Sequence, residues 1–322
     1  MKLNSRRFSL GIICIVFLTA LIVAGLAWIL PEQCYMDGEY PYWTQQKDYV
    51  LQDADQQEIL LLGDSRMKED VFALEFHDDA YNLAVGGASP AEMYYSLKDY
   101  IEHHPMPKMV IVAFGPMHYD DEDTKIFTER NAYFHYFSYD RLIEVNNVYK
   151  ELDGKDYSEK IVQYVYRMPS IYMKPILRSL VWPRTQENED KYNEAVVTKG
   201  HMPNSTNQVT HVRPPEIEKN SFIPLESHTF YMNKIIEMCL DNDIEIHIEQ
   251  LPMGEHGLPE LEASGYMDEY RQYMKHFADQ YGIDVNDDIP GYEDRYFGDV
   301  SHLNEEGAHK FTSELRGKYF SK

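Results

Sequence analysis

The sequence predicts an α/β fold: a mostly parallel sheet with helices on both faces, entered from one N-terminal transmembrane helix. Three observations carry this. Short apolar runs that stop at Gly or Pro alternate with helical-period segments. Each run is too short for a helix, and the intervening helices are long enough to cross back over a parallel sheet. Ahead of them stands one uncharged apolar run of a length that crosses a bilayer.

Lys2, Arg6 and Arg7 precede that run, which extends from about Phe8 to Leu30 and ends at Pro31. Trp28 suits the membrane interface, and the basic flank stays inside, so the remainder lies outside the cell membrane. A cleaved signal peptide is the competing reading, with Ala24–Ala27 as the cleavable stretch. Its apolar core spans only about 7–15 residues, so the length favours an uncleaved signal anchor. Residues 1–30 are therefore read as cytoplasmic tip and anchor, 31–57 as a polar, Tyr-rich linker, and 58–322 as the main domain.

Leu60–Leu62 is the first buried strand, closed by Gly63-Asp64-Ser65-Arg66. Ala80–Val85 is the second, ending at Gly86-Gly87. Pro90–His103 is a helix with Ser89 as N-cap and Pro90 at the first helical position. Lys108–Phe114 is a continuous apolar strand closed by Gly115-Pro116. Met117–Ile223 breaks the rhythm. It contains the aromatic run Tyr133–Phe137, a helix near Ser158–Tyr166, and a polar loop over Pro183–Pro215. An insertion after a strand's carboxyl end borders the ligand edge and is placed to act as a lid or platform. Its aromatics fit sugar stacking or, more commonly, the insertion's own core. Ser227–Leu240 is then a helix, Asp243–Leu251 a strand, Glu260–Tyr281 a helix, Ile283–Val285 a last strand and Asn304–Tyr319 the closing helix.

Composition excludes several functions. With 30 Lys+Arg against 54 Asp+Glu, the net charge is −24. That excludes the basic footprint of a nucleic-acid binder and disfavours a domain lying flat on anionic lipid. Cys14, Cys34 and Cys239 show no zinc or disulfide spacing. Outside the cell a Cys34–Cys239 bridge is the one pairing left, but nothing positions the two together. No Gly-rich phosphate loop or metal-ligand spacing appears, so neither metal nor cofactor is expected. His103-His104 suit a helix C-terminus, His247 a sheet position and His309 a helix surface. Asp120–Asp123 reads as a solvated acidic loop.

Two stretches carry chemistry. Ser65 leaves the carboxyl end of the first strand, where open α/β sheets bind ligands. Taken alone, Asp64 and Ser65 read equally well as a turn and helix cap. Near the C-terminus, Asp299-Val300-Ser301-His302 precedes a helix that Asn304 is placed to cap. In that spacing the carboxylate accepts from one imidazole nitrogen and leaves the other free to take a hydroxyl proton.

Gly63-Asp64-Ser65, the pair Asn82 and Gly87, and Asp299-x-x-His302 followed by Leu303-Asn304-x-x-Gly307 together resemble the SGNH, or GDSL-type, hydrolase superfamily. The resemblance implies a flavodoxin-like three-layer α/β/α sandwich and acyl-ester chemistry. It makes Ser65 the nucleophile, His302 the general base and then acid, and Asp299 its orienting carboxylate. The N–H groups of Ser65 and Gly87 supply the oxyanion hole. The pattern's third donor, an Asn in Gly-x-Asn, is replaced by Met117 in Gly115-Pro116-Met117. Met cannot donate, which leaves His118 or Tyr119 as substitutes. Arg66 directly after the serine, a candidate substrate-binding residue, and the N-terminal anchor resemble a membrane-anchored subgroup. Its members act on cell-envelope polysaccharide or teichoic-acid-like polymer beside a membrane-bound O-acyltransferase. The expected function is thus acyl transfer or acyl-ester hydrolysis; the alternative is a non-catalytic scaffold binding that acyltransferase or the polymer. A lipase is disfavoured because the insertion shows no strongly apolar face in sequence and the chain is acidic.

Overall fold

The computed structural model describes residues 2–52, 57–120, 127–202, 207–219 and 221–320, with the side chains of 2–6 and 127–129 left aside. The elements, in chain order, are helix α1 (Lys2–Ile29), α2 (Tyr40–Leu51), strand β1 (Ile59–Gly63), α3 (Ser65–Asp70), β2 (Ala80–Asn82), α4 (Pro90–His103), β3 (Met109–Ala113), α5 (Tyr139–Asp153), α6 (Ser158–Val165), α7 (Pro169–Ser179), α8 (Thr185–Val197), α9 (Glu226–Asp241), β4 (Glu245–Ile248), α10 (Tyr266–Tyr281), β5 (Asp284–Val285) and α11 (Glu305–Phe320), together with several shorter turns of helix. α1 contains a 23-residue stretch, Arg7–Ile29, long and apolar enough to cross a membrane.

These five strands form the main sheet in the order β2-β1-β3-β4-β5, with every pairing parallel, and Met253–Gly254 pairs separately with Gly291–Tyr292 in a two-stranded parallel sheet. Side chains alternate along a strand, and here they feed two separate cores. Leu60, Leu62, Val110, Val112, Ile246 and Ile248 join the cluster that holds Met93, Leu97, Ile235 and Met274 from α4, α9 and α10. Ile59, Leu61, Ile111 and Ala113 join the cluster that holds Met67 of α3 and Phe311 and Leu315 of α11. With both faces buried, continuous apolar runs are the expected sequence signature. The chain runs from β1 outward to β2, then returns across β1 to β3. Their carboxyl ends therefore flank the crevice where such sheets take ligands.

α4 begins where the sequence placed it: Ser89 and Glu92 form a reciprocal capping box. Other expectations need correction. Residues 31–57 are not simply a linker, because α2 lies within them and packs into the core. Trp43 is fully buried, edge-on to Tyr136 at 4.8 Å between ring centroids. Gln45 donates to the Tyr81 hydroxyl at 2.6 Å and Gln46 to the Asn82 carbonyl at 2.7 Å, so each buried glutamine amide has a partner for its nitrogen. The loop expected over 183–215 contains α8. The helix expected over Glu260–Tyr281 breaks at Gly265, whose φ of 85° is left-handed. The second strand stops at Asn82, whose side chain turns back onto α3. The insertion does present an apolar face: Met173, Leu177, Leu180, Val181 and Trp182 are all exposed. Cys14, Cys34 and Cys239 are free thiols, so no Cys34–Cys239 bridge forms.

Candidate active site

β1 ends at Gly63, where it passes so close to β3 that a Cβ would strike the Ala113 carbonyl oxygen. Asp64 then caps α3. Its Oδ1 accepts from the Arg66 N–H at 2.8 Å, and its Oδ2 accepts from the Gly115 N–H at 2.7 Å. One carboxylate thus ties the ends of β1 and β3 together, and the cap reading proposed for Asp64 and Ser65 applies to Asp64. Ser65, the first residue of α3, is partly exposed.

The loop from the far end of the chain meets it there. His302 Nε2 lies 2.7 Å from Ser65 Oγ. Its Nδ1 lies 2.9 and 3.1 Å from the two oxygens of Asp299. A proton on Nδ1, donated to Asp299, leaves Nε2 to accept from the serine hydroxyl. Asp299 Oδ1 also accepts from the Ser301 and His302 N–H groups, both at 2.8 Å. The loop is pinned to α3 by the Leu303 N–H, which donates to Asp70 at 2.9 Å. Asn304 accepts from the Gly307 N–H at 3.0 Å at the start of α11, as its N-cap assignment required.

Electrostatics around the imidazole are one-sided. Burial works against the charged form of His302. The hydrogen bond donated to Asp299 and the charges of Glu69, Asp70 and Asp299 outweigh it and raise its pKa above the ordinary value. For Asp299 burial also acts upward, but His302 and the two backbone N–H groups hold its carboxyl well below the usual range. Glu69 Oε2 stands 3.8 Å from His302 Nδ1, and burial raises its pKa despite Lys68. Asp70 is fully buried and raised well above the carboxylate range, chiefly by burial. Glu69 and Asp70 were not singled out in the sequence. The only signal was their place four and five residues after Ser65, one turn along the same helix.

The remaining expected residues fall as follows. Gly87 has a left-handed φ of 76°, which favours glycine. Its loop is held by Asn82, whose Nδ2 donates to the Met67 and Val71 carbonyls at 2.8 and 3.1 Å. The adjoining Gly86 lies against Glu39, which bonds both Lys68 and Arg130 at 3.2 Å. His118 turns its Nε2 to Asp64 Oδ2 at 3.2 Å, so an oxyanion donor there must be its other ring nitrogen. Tyr119 is buried beside Phe114. Arg66 is a correction: it is 2% exposed and ion-paired to the fully buried Glu216 at 2.6 Å. It therefore has no surface to offer a substrate.

His104 closes its own helix through its backbone N–H, which donates to the Tyr100 carbonyl at 2.8 Å, while its ring Nε2 donates to the Tyr49 carbonyl at 2.9 Å. His247 lies between Glu245 and Asp284, and His309 pairs with Glu75 on the surface. Asp120 is buried and paired to Lys219 at 2.5 Å, not solvated; positions 121–123 lie outside the described residues. His211, His256 and Asp294 bring their ligating atoms within 4.8 Å of one another from three separate segments of the chain. Sequence spacing could not reveal that grouping. The chain matches no known family model and no curated protein.

Proposed function

We propose that the chain is a membrane-anchored serine acyltransferase or esterase of the SGNH type, acting outside the cell membrane on an envelope polymer. The supporting observation is the continuous line Ser65–His302–Asp299, with contacts of 2.7 and 2.9 Å. Strand order 2-1-3-4-5 is that of flavodoxin-like sheets. A three-layer sandwich would account for the two cores.

In this reading Ser65 Oγ attacks an acyl carbonyl while its proton passes to His302 Nε2. Asp299 stabilises the imidazolium, and the Ser65 and Gly87 N–H groups hold the oxyanion. His302 returns the proton to the departing alcohol, leaving an acyl-enzyme. A water or a sugar hydroxyl then gives its proton to His302 and takes the acyl group, regenerating Ser65. The basic flank at Lys2, Arg6 and Arg7 orients the domain outward.

A second reading, the non-catalytic scaffold, is favoured by Met117 at the position of the third donor and by the Asp64-bound His118. Covalent labelling by a serine-directed fluorophosphonate separates the two. Labelling at Ser65 that disappears in Ser65→Ala supports the enzyme. An unlabelled, correctly folded chain supports the scaffold. An acceptor assay with defined polysaccharide then distinguishes transfer from hydrolysis.

A further inference from the structure

α1 is bare on all sides from Arg7 to Leu18. From Thr19 onward one face is covered: Val23 and Ala27 are buried, and Thr19, Ala20, Ala24 and Leu26 are partly so. The covering element is α7 of the insertion. Arg167, just ahead of α7, donates to the Ala27 carbonyl near the end of α1, and its guanidinium stacks 4.9 Å above the Trp28 ring.

Length decides what this packing means. The span Arg7–Ile29 has 23 residues and rises ~34 Å at 1.5 Å per residue, enough for a hydrocarbon layer of about 30 Å. The uncovered part, positions 7–18, rises only ~18 Å, too little to cross. If α1 spans the bilayer, the half covered by α7 lies within it, and α7 lies there too. The outward side of α7 suits that position. Met173, Leu177 and Leu180 recur at i, i+4 and i+7 and are 40%, 44% and 59% exposed; Val181 and Trp182 continue the patch at 64% and 68%. One step round the helix, Lys174 and Arg178 join Arg184, Arg130, Phe134 and Trp182 around a cavity of about 440 Å³. With Asp37 as its one acidic lining residue, this mainly basic, aromatic cavity in a chain of net charge −24 is the combination found at the headgroup level of a membrane.

We propose that α7 and Leu180–Trp182 form a second membrane element, seated beside α1 in the half of the bilayer nearer the domain and covered by lipid. Lys174, Arg178 and Arg184 meet the headgroup phosphates. The inference rests on α1 spanning the membrane and is independent of the acyl chemistry.

The chain has three tryptophans, and Trp43 is fully buried, so Trp28 and Trp182 are natural reporters. The full chain is reconstituted into phosphatidylcholine vesicles with plain or brominated acyl chains. Trp182→Phe then reports on Trp28, and Trp28→Phe reports on Trp182. The expected result is that bromolipid removes most of the accessible emission in both variants, while the double variant keeps the Trp43 signal. Quenching of Trp28 with Trp182 quenched instead by aqueous iodide overturns the proposal while leaving the anchor intact. Trp182 shielded from both quenchers means protein covers it, and also overturns the proposal. Trp28 escaping bromolipid removes the anchor and the inference together.

Discussion

Arg66 and Glu216 test how the start of α3, and with it Ser65, is held. The pair joins the first turn of α3, one residue after Ser65, to a segment 150 residues on. At 2.6 Å and an effective dielectric constant near 20, the attraction is about 6 kcal/mol. Removing both charges from water offsets most of that, so the pair contributes little net stability, whereas an orphaned partner is costly at about 3–5 kcal/mol. The two single substitutions should not be equal. Glu216→Gln leaves Arg66 facing Asp64 and Asp70, which also hold its charge, so the lower figure applies. Arg66→Met strands Glu216, whose Oε2 has no hydrogen-bond partner among the described residues even now, so the upper figure applies. With an unfolding entropy of ~2.1 cal/mol/K per residue, about 0.7 kcal/mol/K for this chain, the melting temperature falls ~4 and ~7 °C. Arg66→Met/Glu216→Leu should recover most of the loss. Thermal melts of the full chain in detergent, run as a double-mutant cycle, read the coupling directly. Additive losses, with coupling below about 1 kcal/mol, would refute the argument.

The other predictions concern pH and packing. If His302 is the base, the rate rises with pH through an apparent pKa above the ordinary 6.5. Glu69→Gln then moves that limb to lower pH, and an unmoved limb shows that the 3.8 Å neighbour is not felt. His201 and His228 are held neutral by burial, with pKa values lowered to about 4 from 6.5. The unfolded chain therefore binds their protons first. Stability falls as pH drops from about 6.5 to 4, by up to ~3 kcal/mol for each histidine. His302, raised instead, contributes with the opposite sign as pH rises through its folded value. Denaturant melts across this window should show His228→Gln with a shallower acid slope than the parent chain. Trp43→Ala should cost ~3–5 kcal/mol in the same melts. A loss under about 1 kcal/mol would return residues 40–51 to a linker.

What could be read from the sequence follows from what each element buries. β1, β3 and α4 announce themselves because their partners are apolar and their ends carry Gly, Pro and a Ser–Glu cap. α2 and α8 did not. α2 is half buried through residues that include Gln45, Gln46 and Tyr42, and the two glutamine amides donate to Tyr81 and Asn82, distant groups that no local window contains. α8 buries only Asn188 and Ala195, and Asn188 donates to the Gln33 carbonyl from across the chain. The same limit divides the site. Ser65, Asp299 and His302 were legible because a serine after a strand and an Asp-x-x-His before a helix are local patterns. Glu69 and Asp70 look like ordinary helix-surface acids. They become part of the imidazole's environment only because Leu303 docks its N–H on Asp70, which carries His302 to within 3.8 Å of Glu69. Arg66 failed for the mirror-image reason: beside the serine it reads as a ligand-facing cation, and only Glu216 turns it inward. Residues that act through sequence-local geometry can be read in advance, whereas those whose role is set by a charge 150 or more positions away require the folded chain.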